Sequence, residues 1–223
     1  VYGVSQLEAV NISASSLAIQ WGPPSNTGCL EGYQVCWSLA DKSQINCTTK
    51  SRHELEATSI TGLTLCTNYI VNVISLGSSG TTSPPVNITT SSAPEKIKRV
   101  TIWSSTVSNI TAVWTLPSHS QCLQGIQVCL SLRDGNQSNC TIQSSHGHAA
   151  WTFTELTPCS RYIVNVTTIS LSGEYSEAVT ASAISAPALS KVNNFRAVTT
   201  SNSIQLDWEA PTEGTQCLEE YSV

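Results

Sequence analysis

The 223-residue chain has length for two ordinary domains, and only 11% of its residues are charged, 10 Lys and Arg against 15 Asp and Glu. That balance offers no basic footprint for nucleic acid or anionic lipid, and no apolar run nears the roughly 18 residues that cross a bilayer. Nine cysteines point to an oxidising compartment unless they bind metal. The chain starts at Val1, contains no Met and carries no signal peptide, so it reads as an internal piece of something longer.

Along the chain the apolar residues recur with a period of two, the signature of half-buried strands. Leu17, Ile19 and Trp21 alternate with Ala18 and Gln20. Tyr33, Val35 and Trp37 form a second such strand, and Tyr69, Val71 and Val73 a third. The same elements then return. Ile110, Ala112 and Trp114 repeat the first, Tyr162-Ile-Val-Asn-Val166 copies Tyr69-Ile-Val-Asn-Val73, and Ile204, Leu206 and Trp208 open another round. No window carries a helical period.

The offset is constant. Trp21, Trp114 and Trp208 are separated by 93 and 94 residues, and Cys29, Cys36, Cys47 and Cys66 reappear as Cys122, Cys129, Cys140 and Cys159 with every spacing kept. Cys217 stands where a third set would begin. Ser92-Ala93-Pro94 and Ser185-Ala186-Pro187 mark two short linkers, giving repeats at 1–93 and 94–187 and the opening part of a third at 188–223. Short strands separated by Gly, Pro, Ser and Asn predict an all-β chain of tandem two-sheet antiparallel sandwiches.

These residues resemble the fibronectin type III family, which belongs to the immunoglobulin-like sandwiches. The resemblance rests on Trp21-Gly-Pro-Pro24, on Gly32-Tyr-Gln-Val35 and on Leu156-Thr-Pro-Cys-Ser-Arg-Tyr162, which looks like the family's tyrosine corner. Leu63-Thr-Leu-Cys-Thr-Asn-Tyr69 is a second corner with Leu65 in place of proline. Trp208-Glu-Ala-Pro211 and Glu220-Tyr-Ser-Val223 continue the pattern in the third repeat. Ordinary modules of this family lack the cysteines.

The cysteines form no close C-x₂-C pair, and the histidines lie apart from any four-ligand set, so disulfides are favoured over zinc. A hairpin centred on Asp134-Gly135 sets Cys129 opposite Cys140, and one about Asp41-Lys42 sets Cys36 opposite Cys47, both within disulfide reach. A shifted register with other partners stays open. Cys29 lies about 23 Å of strand from the level of Cys36, too far for an easy bond to Cys66 inside one sandwich. In a type III array the loop carrying Cys66 faces the one carrying Cys122 of the next module. The resemblance therefore implies Cys66–Cys122 and Cys159–Cys217 bonds between consecutive domains, with Cys29 reserved for a preceding module. The rival set is Cys36–Cys66 with Cys29–Cys47; bonds between separate chains and free thiols also remain.

Seven Asn-x-Ser/Thr sequons, at Asn11, Asn46, Asn87, Asn109, Asn136, Asn139 and Asn165, predict a glycosylated surface that replaces missing charge. Strand parity turns Asn109 and Asn165 away from the core. Asn46 and Asn139 neighbour outward cysteines, so they are usable only if their strand overhangs the core as an edge. His146-Gly-His148 reads as a solvated loop, and no nucleophile elbow, zinc-protease helix or phosphate loop occurs. The integrin tripeptide Arg-Gly-Asp is absent. The expectation is an extracellular, non-enzymatic, cofactor-free structural or adhesive array whose partners are neighbouring modules or copies of itself. The alternative is the ectodomain of a receptor tyrosine phosphatase or adhesion receptor.

Overall fold

The structure, a computed structural model, describes residues 1–135, 138–188, 190–212 and 220. The first repeat contributes β1 (Ser5–Ile12), β2 (Ser16–Gly22), β3 (Leu30–Leu39), β4 (Asn46–Ser51), β5 (Ala57–Thr61), β6 (Asn68–Gly77) and β7 (Val86–Ser91). They form a three-stranded sheet β1-β2-β5 and a four-stranded sheet β4-β3-β6-β7. The second repeat has the same seven: β8 (Arg99–Ser105), β9 (Ile110–Thr115), β10 (Leu123–Leu132), β11 (Ser138–Ser144), β12 (Ala150–Phe153), β13 (Arg161–Ser170) and β14 (Val179–Ile184). Their sheets, β12-β9-β8 and β11-β10-β13-β14, have the same order. A hairpin of β15 (Asn193–Thr199) and β16 (Ile204–Glu209) follows. Among the described residues no helix is long and apolar enough to cross a membrane.

The chain folds into two compact units. The first is Val1–Lys96 with Pro117–Ile126 and Thr167–Ala178; the second is Ile97–Leu116, Gln127–Val166 and the described residues from Val179 onward.

In the first unit the period-two pattern becomes a core. Leu17, Ile19, Val35, Val71 and Val73 are fully buried, each from the inward face of its strand. Trp21 is 4% exposed and meets Tyr33 edge-on, ring centroids 5.4 Å apart. Neither the Trp21 Nε1 nor the Tyr33 hydroxyl reaches a hydrogen-bond partner in good geometry. Burial, then the Glu56 carboxylate, pushes the Tyr33 phenol above the usual tyrosine range. In the second unit Ile110, Ala112, Val128 and Val164 are fully buried and Trp114 is 5% exposed.

Two details depart from the sequence reading. The Ser-Ala-Pro segments are not free linkers. Ser92 and Ala93 have no exposed surface. The Ser92 hydroxyl donates to the Thr64 carbonyl at 2.6 Å and accepts from the Thr67 N–H at 3.0 Å, while the Ala93 N–H donates to the Ser13 carbonyl at 3.0 Å. Ser185 repeats this with Thr157 (2.6 Å) and Ser160 (3.0 Å), and Ala186 with Thr106 (2.9 Å). Each serine supplies both a donor and an acceptor to a corner loop whose backbone bends out of the sheet ladder.

The hairpin turns are also one residue earlier than expected. Gly135 N–H donates to the Leu132 carbonyl, so Arg133 and Asp134 are the central residues. Lys42 N–H likewise donates to Leu39, and Lys42 and Gln44 take left-handed backbone, φ 62° and 52°. The extra residue that Gln44 absorbs returns the strands to a register in which Cys36 faces Cys47.

Candidate functional site

The residues that set this chain apart are its cysteines, and two kinds of backbone position them. The first is the tyrosine corner. The Tyr69 hydroxyl accepts from the Thr64 N–H and the Tyr162 hydroxyl from the Thr157 N–H, both at 2.9 Å. Each bond arches the loop before the strand so that its cysteine adopts left-handed backbone: φ is 52° at Cys66 and 55° at Cys159. Cys66 N–H donates to the Ala93 carbonyl at 3.4 Å, tying the loop to the buried Ser-Ala-Pro segment.

The Cys66 sulfur is bonded to Cys122, with Cα atoms 6.2 Å apart. Both residues belong to the first compact unit, although position 66 lies in the first sequence repeat and position 122 in the second. Cys122 is held by its own carbonyl, which accepts from the Leu171 N–H at 2.9 Å. Cys29 has the same mould 93 residues earlier, its carbonyl accepting from the Ser78 N–H at 3.0 Å, but its thiol is free and exposed. The expected Cys159–Cys217 pair includes Cys217, which lies outside the described residues.

The second kind is the hairpin. Cys36 is bonded to Cys47 with Cα atoms 4.1 Å apart, and Cys129 to Cys140 at 4.0 Å. Both bonds tie a sheet-edge strand, β4 or β11, to its neighbour. Residues Asn46 and Cys47, and Asn139 and Cys140, are all exposed, so the beginning of each edge strand overhangs the core and alternation lapses there.

The sequon asparagines spread over this surface. Asn11, Asn46, Asn87 and Asn139 are exposed, whereas Asn109 and Asn165 are half-buried, and Asn136 lies outside the described residues. The Asn165 side chain accepts from the Thr180 hydroxyl at 2.8 Å. Asn87 faces Asn72, which faces Cys36, so a sequon and a disulfide share one row across the first four-stranded sheet.

A polar cluster that sequence reasoning missed surrounds Glu95 and Lys96. The Glu95 carboxylate accepts from the His119 N–H at 3.0 Å and lies 2.9 Å from its Nδ1, and the Glu95 carbonyl accepts from the Thr168 hydroxyl at 2.9 Å. Lys96 pairs with Glu177 at 2.9 Å and holds that carboxyl below the usual range. These residues carry no periodic signal, because they do not recur at the 93-residue offset. Ser92 and Ser185 do recur, and their repetition was the available clue. Among the described residues no group of three or more His, Cys, Asp or Glu side chains could hold a metal ion.

The fibronectin type III domain family model matches residues 3–90. Among solved structures, a two-domain fibronectin type III segment from chicken tenascin aligns at 18% identity and TM-score 0.44, over 82% of this chain and 99% of that one. The FN1–FN3 domains of chicken CNTN1 align at 19% and 0.47, over 82% and 67%. A redesigned β-sandwich protein aligns at 19% and 0.39, over 42% and 97%. Residues 3–90 thus match the fibronectin type III domain, and the strand order, buried tryptophan and tyrosine corner of that first sandwich recur in the second.

Proposed function

We propose that this chain is part of an extracellular, non-catalytic structural or adhesive protein, in which disulfides stiffen a fibronectin type III array into a rod or filament. The Cys66–Cys122 bond carries the reading. It joins positions belonging to consecutive sequence repeats, and repeat arrays gain stiffness through nearest-neighbour terms. The three disulfides formed among the described residues suit an oxidising compartment. Glycans on the sequon asparagines supply the solvation that few charges provide, and at Asn46 and Asn139 they also block edge pairing. Cys29, presented as Cys122 is, bonds a corner-loop cysteine of a preceding module, so the partners are neighbouring modules or further copies of the chain.

Non-reducing peptide mapping of the secreted protein, with small-angle scattering before and after mild reduction, tests this. The expected result is a Cys66–Cys122 cross-linked peptide and a broader distribution of dimensions after reduction. A Cys36–Cys66 or Cys29–Cys47 cross-link, or scattering indifferent to reduction, would sink the stiff-array reading.

A further inference from the structure

The second repeat exposes a tryptophan that its core does not require. Ile102 pairs with Ala112 and Ser104 with Thr111, so Trp103 is the extra residue of a β-bulge between β8 and β9. It is 78% exposed. On the facing strand Ile110 and Ala112 are fully buried, so Asn109 and Thr111 point outward. Thr111 stands opposite Ser104, whose diagonal neighbour on the facing strand is Asn109, and Trp103 lies one residue further along β8 on the same outward side of the bulge. The Ser104–Asn109 diagonal is roughly 7–8 Å, and one more residue of strand adds about 3 Å, a gap that an indole and an asparagine-linked sugar close from both sides. The surrounding outward positions, Thr101, Val113, Ala150 and Thr152, bear no charge, and Thr111 and Thr152 share a 2.9 Å hydroxyl contact.

Asn109-Ile110-Thr111 is a sequon. The first repeat makes a parallel arrangement with other residues: Val10, 93 positions before Trp103, is the extra residue of the β1–β2 bulge and is 50% exposed, and its neighbour Asn11 begins a sequon. In both copies an apolar bulge residue and a sequon asparagine share one hairpin. We propose that Trp103 is a stacking platform for the first N-acetylglucosamine of a glycan on Asn109, an inference that rests on the reading of Asn109 as glycosylated. The C–H face of a pyranose ring is apolar and weakly positive, which complements the negative face of an indole. The uncharged, hydroxyl-bearing positions around the indole leave the sugar's polar edge in water while its apolar face covers the ring.

The test uses the full chain secreted from a glycosylating host, with the Asn109 peptide weighed first. Unfolding of the second repeat is then measured for the parent, Asn109→Gln, Trp103→Ala and the combined variant. Trp103→Val, matching Val10, serves as a second replacement that keeps strand propensity. Losing the Asn109 glycan is expected to raise the unfolding constant about five-fold when Trp103 is present and to leave it unchanged when it is replaced. Nuclear Overhauser contacts between indole and sugar protons are expected in the parent only. An unglycosylated Asn109 peptide would overturn the glycosylation reading and the platform with it. A glycan whose loss costs the same in all three backgrounds would overturn the platform alone. So would concentration-dependent self-association that Trp103→Ala abolishes.

Discussion

Replacing Ser92 with Ala tests the account of how each sandwich closes. The serine hydroxyl has no exposed surface and serves two backbone groups, the Thr64 carbonyl at 2.6 Å and the Thr67 N–H at 3.0 Å. Alanine removes one atom and leaves no cavity that a side chain could collapse into. Its cost therefore comes from orphaned backbone, about 1–3 kcal/mol for each buried group left unpaired. Thr64 is exposed and Thr67 half-buried, so water recovers part of each loss, and the sum for the pair is about 1–2 kcal/mol. For a domain of this size that lowers Tm by roughly 5–15 °C. Ser185→Ala supplies an internal replicate, because Ser185 makes the same bonds to Thr157 and Ser160 at 2.6 and 3.0 Å. Calorimetry with urea unfolding, following each domain's buried tryptophan, reads both variants. If either alanine variant stays within about 0.5 kcal/mol of the parent, the range of an ordinary surface change, the segment is a mere connector and the reasoning fails.

Three further outcomes follow from the packing. Trp21→Ala and Trp114→Ala should each destabilise their own domain by about 3–5 kcal/mol in denaturant titrations, and an effect below about 1 kcal/mol would contradict their burial. Replacing Cys36 and Cys47 together by Ala should cost roughly 3 kcal/mol, the loop-closure figure for the 11-residue separation; a neutral result in urea would mean that the unfolded chain is not constrained there. The Tyr33 phenol should titrate above the ordinary tyrosine range by absorbance at alkaline pH. With its folded pKa raised, the unfolded chain releases that proton first, so this contribution to stability is whole below the ordinary phenol range and falls as pH rises towards the folded value. A stability curve that climbs over that interval would contradict it.

The sheets were legible because one face of the ten-residue strands β3, β6, β10 and β13 is buried and period two survives in the letters, as in Tyr69, Val71 and Val73. The tyrosine corners were legible because their loop bond needs a tyrosine at a fixed distance from the bend. The hairpin turns were misread by one residue, since Asp134-Gly135 is a strong two-residue signal and sequence cannot show which carbonyl Gly135 will reach. The Ser-Ala-Pro segments were misread because small residues with proline have the composition of a linker; what makes them structural is bonding to Thr64 and Thr67, some 25 residues upstream. Glu95 and His119 left no trace, because neither repeats and charge pairs have no period.

Under tension the Cys66–Cys122 bond determines which parts of the chain can lengthen. A pull on the two ends passes through the sulfur bridge and bypasses everything between positions 66 and 122, which are 56 residues apart. At about 3.5 Å per extended residue, that conceals roughly 190 Å of contour. The withheld stretch contains β6, β7, β8 and β9, the last two strands of one sandwich and the first two of the next. Neither sandwich can then be drawn out completely while the bridge is oxidised, and its remaining strands keep a tethered template on which to re-form when the load is released.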